Sequence, residues 1–312
     1  MPFRYTLRQL EYFVAVGKAG SIAAASDILN ISSPSISAAI TQLEEEFGLT
    51  LFIREHAKGL TLTKAGDQFM EQTRLVMQEA EHLSTLAGEI TGIAQGQLNV
   101  GCLLTFAQII LPGLRREFEE AHPSVLIGQR ILNQAEIFSQ IRREELDVAL
   151  TYDLDIPSDL EFTPLQDLPP YVLCGEDHPL TGRDEVSVLD LKDHAMVLLD
   201  LPHSSDYFLS FFSRANIRPR VKERTKDMSV MRSMVANGYG FSIANILPLN
   251  SRSPDGKPLC FIPLGGRAKP MRLGLLRLPG KKPTATLKVF MQHCEESIAR
   301  GVPTLQRLRN AD

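Results

Sequence analysis

Several groups of side chains in this 312-residue chain are of types that do chemistry. Asp200, His203, Ser204 and Ser205 place a carboxylate, an imidazole and two hydroxyls close together, the residue types of an activated nucleophile. A triad is defined by geometry, however, and the chain has no G-x-S-x-G turn to lift a serine clear of a sheet. Glu176, Asp177 and His178 are metal-ligating types, but a solvated turn stopped by Pro179 explains them as well. Gly265, Gly266 and Arg267 suggest a phosphate cradle yet lack the GxxxxGK[ST] spacing, which leaves a loop. Neither a catalytic residue, a metal nor a cofactor is therefore expected. The more coherent set is uncharged: Ser32, Ser33, Ser35, Ser37, Thr41 and Gln42, followed by the cations Arg54 and Lys58. Hydroxyls, amides and backbone N–H groups at a helix start donate to phosphates and base edges, and basic side chains neutralise phosphate charge.

Positioning that set requires three short helices. Thr6 with Gln9 has the form of a capping box, and Leu10, Phe13 and Val14 give the first helix its apolar stripe. Gly17 and Gly20 are expected to break it. Ser21 caps Ile22–Leu29, Asn30 and Ile31 turn the chain, and Ser32 caps a third helix with Pro34 in its first turn. Ile36, Ile40, Leu43 and Phe47 form its buried stripe, and Gly48 stops it. Two helices joined by a tight turn, the second with a small polar face, have the form of a helix-turn-helix, although any three-helix bundle shares the spacing. Leu51 and Ile53, then Leu60 and Leu62, alternate around the tip His56-Ala57-Lys58-Gly59 and spell a two-stranded wing. Glu44, Glu45 and Glu46 read as a solvated helix end.

Thr63 then caps a helix reaching about Thr91, in which Phe69, Val76, Leu83 and Ile90 recur every seven residues, with Thr73, Ala80 and Ala87 at the positions between. So narrow a seam calls for a partner helix, hence a homodimer. From Gln97 the period changes. Strands at 97–103, 125–131 and 147–152 alternate with helices at Thr105–Ala121 and Glu136–Arg143. A proline-rich pause at Pro164, Pro169 and Pro170 precedes a second α/β run, and MRLGLLRL and a helix from Ala285 close the chain. Alternation of this kind predicts parallel, doubly wound sheets in two lobes. The domains expected are 1–62 (winged helix-turn-helix), 63–92 (linker helix) and 93–312, with lobe I at about 93–166 and 271–312 and lobe II at about 167–270.

Composition narrows the classes without selecting one. A net charge of −4 argues against a polyanion partner on average, but residues 1–66 carry six basic side chains against six acids and are neutral. The 44% hydrophobic and 22% charged fractions are those of a globular chain, with no apolar run long enough for a membrane span. Four scattered cysteines and no secretory signal predict a reduced, cytoplasmic protein.

The segments LRQLEYFVAV, GSIAAASDILNISSPSISAAITQLEEEFGLTLFIR and GLTLTKAG resemble the signature of LysR-type transcriptional regulators, and ILPGLRREFEEAHPSV, EELDVALTYD and VANGYGFSIANILP resemble that family's effector domain. The resemblance implies a winged helix-turn-helix, a dimerising linker helix and a two-lobed Rossmann-like domain similar to periplasmic solute-binding proteins. It also implies homodimers pairing into tetramers, with double-stranded DNA and a small-molecule effector as partners. One departure stands out: members commonly carry Gln and Arg on the exposed face of the third helix, where this chain has Ser33 and Ala38. Without a cation that helix cannot make the bidentate contact to guanine, so DNA shape and paired half-sites are expected to carry specificity.

In two-lobed α/β folds ligands sit beyond the carboxyl ends of strands. The candidates there are Thr105, Phe106, Asn133, Gln134 and Tyr152 in the first lobe and His203, Ser204, Ser205, Thr225 and Phe241 in the second, although helix capping or core packing accounts for each singly. Hydroxyls, amides and helix dipoles with no obvious arginine suit a small carboxylate or aromatic acid of low charge. A solute-binding module without DNA function would leave residues 1–66 unexplained, and an enzyme using the cleft is the remaining rival.

Overall fold

Capping chemistry sets the first helix boundaries in the computed structural model, which describes residues 3–55, 59–266, 268–280 and 282–301. The chain divides into two compact units, 1–87 and 88–312. In the first, α1 (Leu7–Ala19) begins with a full Thr6/Gln9 capping box and ends at Gly20 in the left-handed region. Gly17 does not break it, contrary to expectation. It lies inside the helix because a Cβ there would stand 2.3 Å from the Met70 methyl carbon, so glycine serves close packing. Next come α2 (Ile22–Leu29), capped by Ser21, and α3 (Ser33–Phe47), capped by Ser32 and stopped by Gly48. The wing is β1 (Phe52–Glu55) against β2 (Gly59–Leu62), antiparallel with Phe52 opposite Leu62. Their shared core gathers Leu10, Phe13, Val16, Ile36, Leu43, Leu51 and Met70.

Helix α4 (Lys64–Thr91) follows, its Gly66 N–H bonded to Thr63 Oγ1. The expected seven-residue seam is split. Phe69 packs against Phe13 and Phe47, whereas Leu83 is 68% and Ile90 79% exposed.

The second unit begins with β3 (Gly96–Leu103). The single helix expected over 105–121 is in fact two, α5 (Leu104–Ile109) and α6 (Leu111–Ala121), with Ile110 between them. Pro112 gives the reason, because inside a continuous helix its ring would strike the carbonyl four residues back. Then come β4 (Val125–Leu132), α7 (Gln134–Arg142), β5 (Val148–Tyr152) and β6 (Glu161–Leu168). The lobe I sheet has the order β4-β3-β5-β12-β6, completed by β12 (Met271–Arg277). It is mixed rather than all-parallel, since β12 runs antiparallel to both neighbours. The proline-rich stretch hides β6: Pro164 sits on an edge strand opposite Gly274, at a register shift, where a missing N–H is tolerated.

Lobe II comprises β7 (Tyr171–Gly175), α8 (Val188–Leu191), β8 (Ala195–Leu199), α9 (Ser204–Arg214), β9 (Arg220–Thr225), α10 (Met228–Ala236), β10 (Ser242–Ala244) and β11 (Leu259–Pro263). Strands β10-β7-β11 form an antiparallel sheet and β8-β9 a parallel pair, joined by the bridge Met196–Phe241. The chain crosses between lobes at β6–β7 and β11–β12. Helix α11 (Ala285–Arg300) covers lobe I, its Thr286 hydroxyl bonded to the Gln95 carbonyl.

Candidate nucleic-acid interface and ligand cleft

Helix α3 buries Ile36, Ala39, Ile40 and Leu43 and turns its other side outward. Ser32, Ser35, Ser37, Thr41 and Gln42 are exposed there and Ser33 is half-buried. Ser32 and Ser35 bond each other through their hydroxyls at 2.8 Å. Thr41 donates to the Ser37 carbonyl. Gln42 accepts at Oε1 a 2.7 Å hydrogen bond from Gln9 Nε2. That orientation is forced, because Gln9 Oε1 already accepts from the Thr6 N–H. The capping box of α1 therefore fixes an amide on the outer face of α3, a link no local pattern announces.

Glu44 is a second correction. It is not simply a solvated acid: its Oε1 accepts from the N–H groups of Leu51 and Phe52, tying α3 to the wing. The wing in turn docks on the α1–α2 turn through Leu60 N–H to the Gly20 carbonyl, so close that a Cβ at Gly59 would lie 2.8 Å from that oxygen. Arg54 belongs to β1, while Lys58, with His56 and Ala57, lies outside the described residues.

In the second unit a cleft of about 260 Å³ opens between the lobes where β3, β4 and β5 end and α7 and α9 begin. Five of the expected residues line it: Thr105, Asn133, Gln134, Tyr152 and Ser204. Thr105 and Tyr152 are both buried at the cleft wall, and burial pushes the Tyr152 phenol's pKa upward. Gln134 Nε2 donates to the carbonyls of Tyr152 and Leu154, so this amide braces the β5 end.

The other five lie elsewhere. Phe106 is fully buried, 4.6 Å from the Tyr152 ring, as support behind the wall. Phe241 is fully buried beside Phe212, its backbone pairing with β8. Thr225 Oγ1 accepts from the Asp227 N–H ahead of α10. Ser205 N–H bonds the Leu201 carbonyl. His203, at a φ of 64°, places Nδ1 2.8 Å from Asp155 Oδ2, across from lobe II to lobe I. Asp200 pairs instead with Arg224, so the apparent nucleophile group faces three different ways.

Sequence reasoning missed the apolar part of the wall: Leu103, Leu104, Ile131, Leu132, Leu201 and Pro202. It also missed Glu136, whose carboxylate accepts from the Asn133 N–H while Asn133 Oδ1 accepts from the Glu136 N–H. Helix α7 thus caps itself with a negative charge. At α9 the Ser204 N–H is held by the Pro202 carbonyl. Among the described residues no Lys, Arg or His lines the cleft. Of the other sites considered, His178 Nδ1 accepts from the Leu180 N–H as a turn residue. Gly265 packs so tightly on Glu185 that a Cβ would stand 2.0 Å from its carboxylate, while Arg267 lies outside the described residues.

No helix among the described residues is long and apolar enough to cross a membrane. Residues 7–67 match the bacterial regulatory helix-turn-helix proteins of the lysR family, and residues 92–299 match the LysR substrate binding domain. The chain is similar to HinK, a LysR family transcriptional regulator from Pseudomonas aeruginosa, at 34% identity and TM-score 0.64, covering 94% of this chain and 98% of that one. It is 27% identical over 296 residues to the Hca operon transcriptional activator HcaR of Escherichia coli (strain K12), covering 94% of this chain and 98% of the relative. At 23% identity it shares its fold with CbnR in complex with target DNA, at TM-score 0.67, covering 94% of this chain and 99% of that one. With the helix-turn-helix, the wing and the two-lobed cleft all present, the chain belongs to the LysR family of DNA-binding transcriptional regulators.

Proposed function

We propose that residues 1–62 hold a DNA half-site, residues 63–92 pair two chains, and residues 93–312 bind a small effector that biases the assembly on DNA. The observation that carries the effector half is the cleft itself, walled by strand ends of lobe I and the start of α9 in lobe II. A ligand there touches both lobes, so it binds their relative arrangements unequally, as a switch requires. Of the two effector classes expected, a small carboxylate and an aromatic acid, the aromatic one suits the wall of Leu103, Ile131, Leu201 and Pro202 through its ring. A carboxylate meets Glu136 and no cation among the described residues, which limits an acid to one such group placed at the open rim.

On the DNA side, Ser32, Ser33, Ser35 and Ser37 donate to phosphates, and Arg54 and Lys58, joined by Lys64, Arg4 and Arg8, supply charge. Each phosphate neutralised adds about 0.9 to the salt slope, so three or four contacts per chain need two-fold pairing for useful affinity. Work on DNA places the protein in the cytoplasm.

Two measurements test this reading. Footprinting of Ser35→Ala with Gln42→Ala should show affinity and sequence preference both reduced; unchanged footprints mean that α3 is not the reading helix. Thermal-shift titration against a panel of benzoates and benzamides should lose its response in Thr105→Val and Ser204→Ala. A response preserved in both variants removes the cleft from consideration.

A further inference from the structure

Behind the cleft lies a smaller space of about 20 Å³, lined by Asn245, Phe208, Met228, Ile246 and Met271 among others. It shares Thr105, Tyr152, Leu201 and Ser204 with the cleft and so adjoins it across those side chains. Asn245 is only 5% exposed. Its Nδ2 donates to the Leu168 carbonyl at 2.8 Å and to the Tyr207 hydroxyl at 3.0 Å. The amide cannot be turned over, because a carbonyl only accepts and Leu168 must therefore face the nitrogen. Tyr207 in turn donates to the Lys269 carbonyl, and burial raises its pKa to about 12, so it remains a neutral phenol. That leaves Asn245 Oδ1, a buried acceptor that no donor among the described residues reaches.

We propose that Asn245 determines effector specificity: its Oδ1 accepts a hydrogen bond from an uncharged O–H or N–H on the effector, which enters the inner space while the ring fills the cleft. This rests on the cleft being the effector site. A buried acceptor left unpaired is costly, so a ligand lacking the donor is penalised twice, by a missing bond and by the stranded oxygen. The space holds one polar non-hydrogen group, which means a hydroxyl or amino substituent and nothing longer. Among the described residues no Lys, Arg or His lines either space, so a carboxylate at this end would be buried without a counter-charge from them. The effector class is therefore a small aromatic ring carrying a single neutral donor at its deep end.

The test uses full-length protein and the probes phenol, toluene and anisole, with binding followed by calorimetry. Phenol should bind on the order of tenfold tighter than toluene or anisole, as a neutral hydrogen bond to a buried amide allows. In Asn245→Leu that ratio should fall to about one, with toluene binding kept. Should the variant not fold, the Asn245 side-chain amide resonances of the unaltered protein should move with phenol and stay with toluene. Equal affinity of the three probes for the native protein, or a preference for phenol surviving in Asn245→Leu, overturns the assignment and leaves the cleft standing. Absence of binding by every probe, or binding unaffected by Leu103→Trp in the cleft wall, overturns both.

Discussion

Gln42 shows how one side chain's role depends on another far from it in sequence. With Oε1 engaged by Gln9, Gln42 at the proposed interface would present its N–H donors to DNA and be biased away from the bidentate amide contact that reads adenine. Base acceptors such as the O6 and N7 of guanine would then be its preferred partners. Gln9→Leu frees the amide and should change the preferred base at one position of each half-site by about 1–3 kcal/mol. The same substitution removes half of the α1 capping box, at about 1 kcal/mol of stability. Sequence selection on randomised half-sites checks this, and an unaltered base matrix would contradict the Gln9–Gln42 link. The cleft makes a parallel point. Thr105, Asn133 and Gln134 are ordinary residues for strand ends and caps, and Asn133 does cap α7 while lining the cleft. Capping and ligand contact are compatible uses of one residue.

At the level of elements, caps and stops were legible because they act within a few residues. Ser21, Ser32 and Thr63 each accept from the backbone three positions on, at the helix starts their positions suggest. Where an element depends on its neighbours the reading failed. Strand β6 was hidden by Pro164, which is harmless only on an edge, and edge status belongs to the sheet. The α5–α6 break was signalled by Pro112 and outweighed by a continuous apolar stripe. In α4, Leu83 and Ile90 share a stripe that the chain itself leaves open. Burying such side chains is worth roughly 1.5–3 kcal/mol each, so Leu83→Glu with Ile90→Glu should convert dimers to monomers in sedimentation. Affinity for a two-half-site fragment should fall at least about tenfold by the pairing argument. Dimers persisting at micromolar concentration would place the interface elsewhere.

For the whole molecule, coupling between cleft and DNA is reciprocal if it exists. An effector that changes operator affinity by some factor must have its own affinity changed by operator DNA by that same factor, typically 5- to 150-fold. Titrating one ligand at saturating levels of the other measures both factors, and unequal or absent shifts would rule out a thermodynamic switch. The sequence by itself determined the helix-turn-helix, the wing, the alternating second half and the family they belong to, because helix stops, caps and apolar periods are written in residues close together. It could not say which strand-end residues face the cleft, that Glu44 and Gln9 brace α3, or that Asn245 ends as an unsatisfied acceptor beneath the cleft floor. Those depend on direction. A hydroxyl or amide has the same local signature whether it points into a helix end, a core or a ligand space, and only the packing of distant strands and helices selects among them.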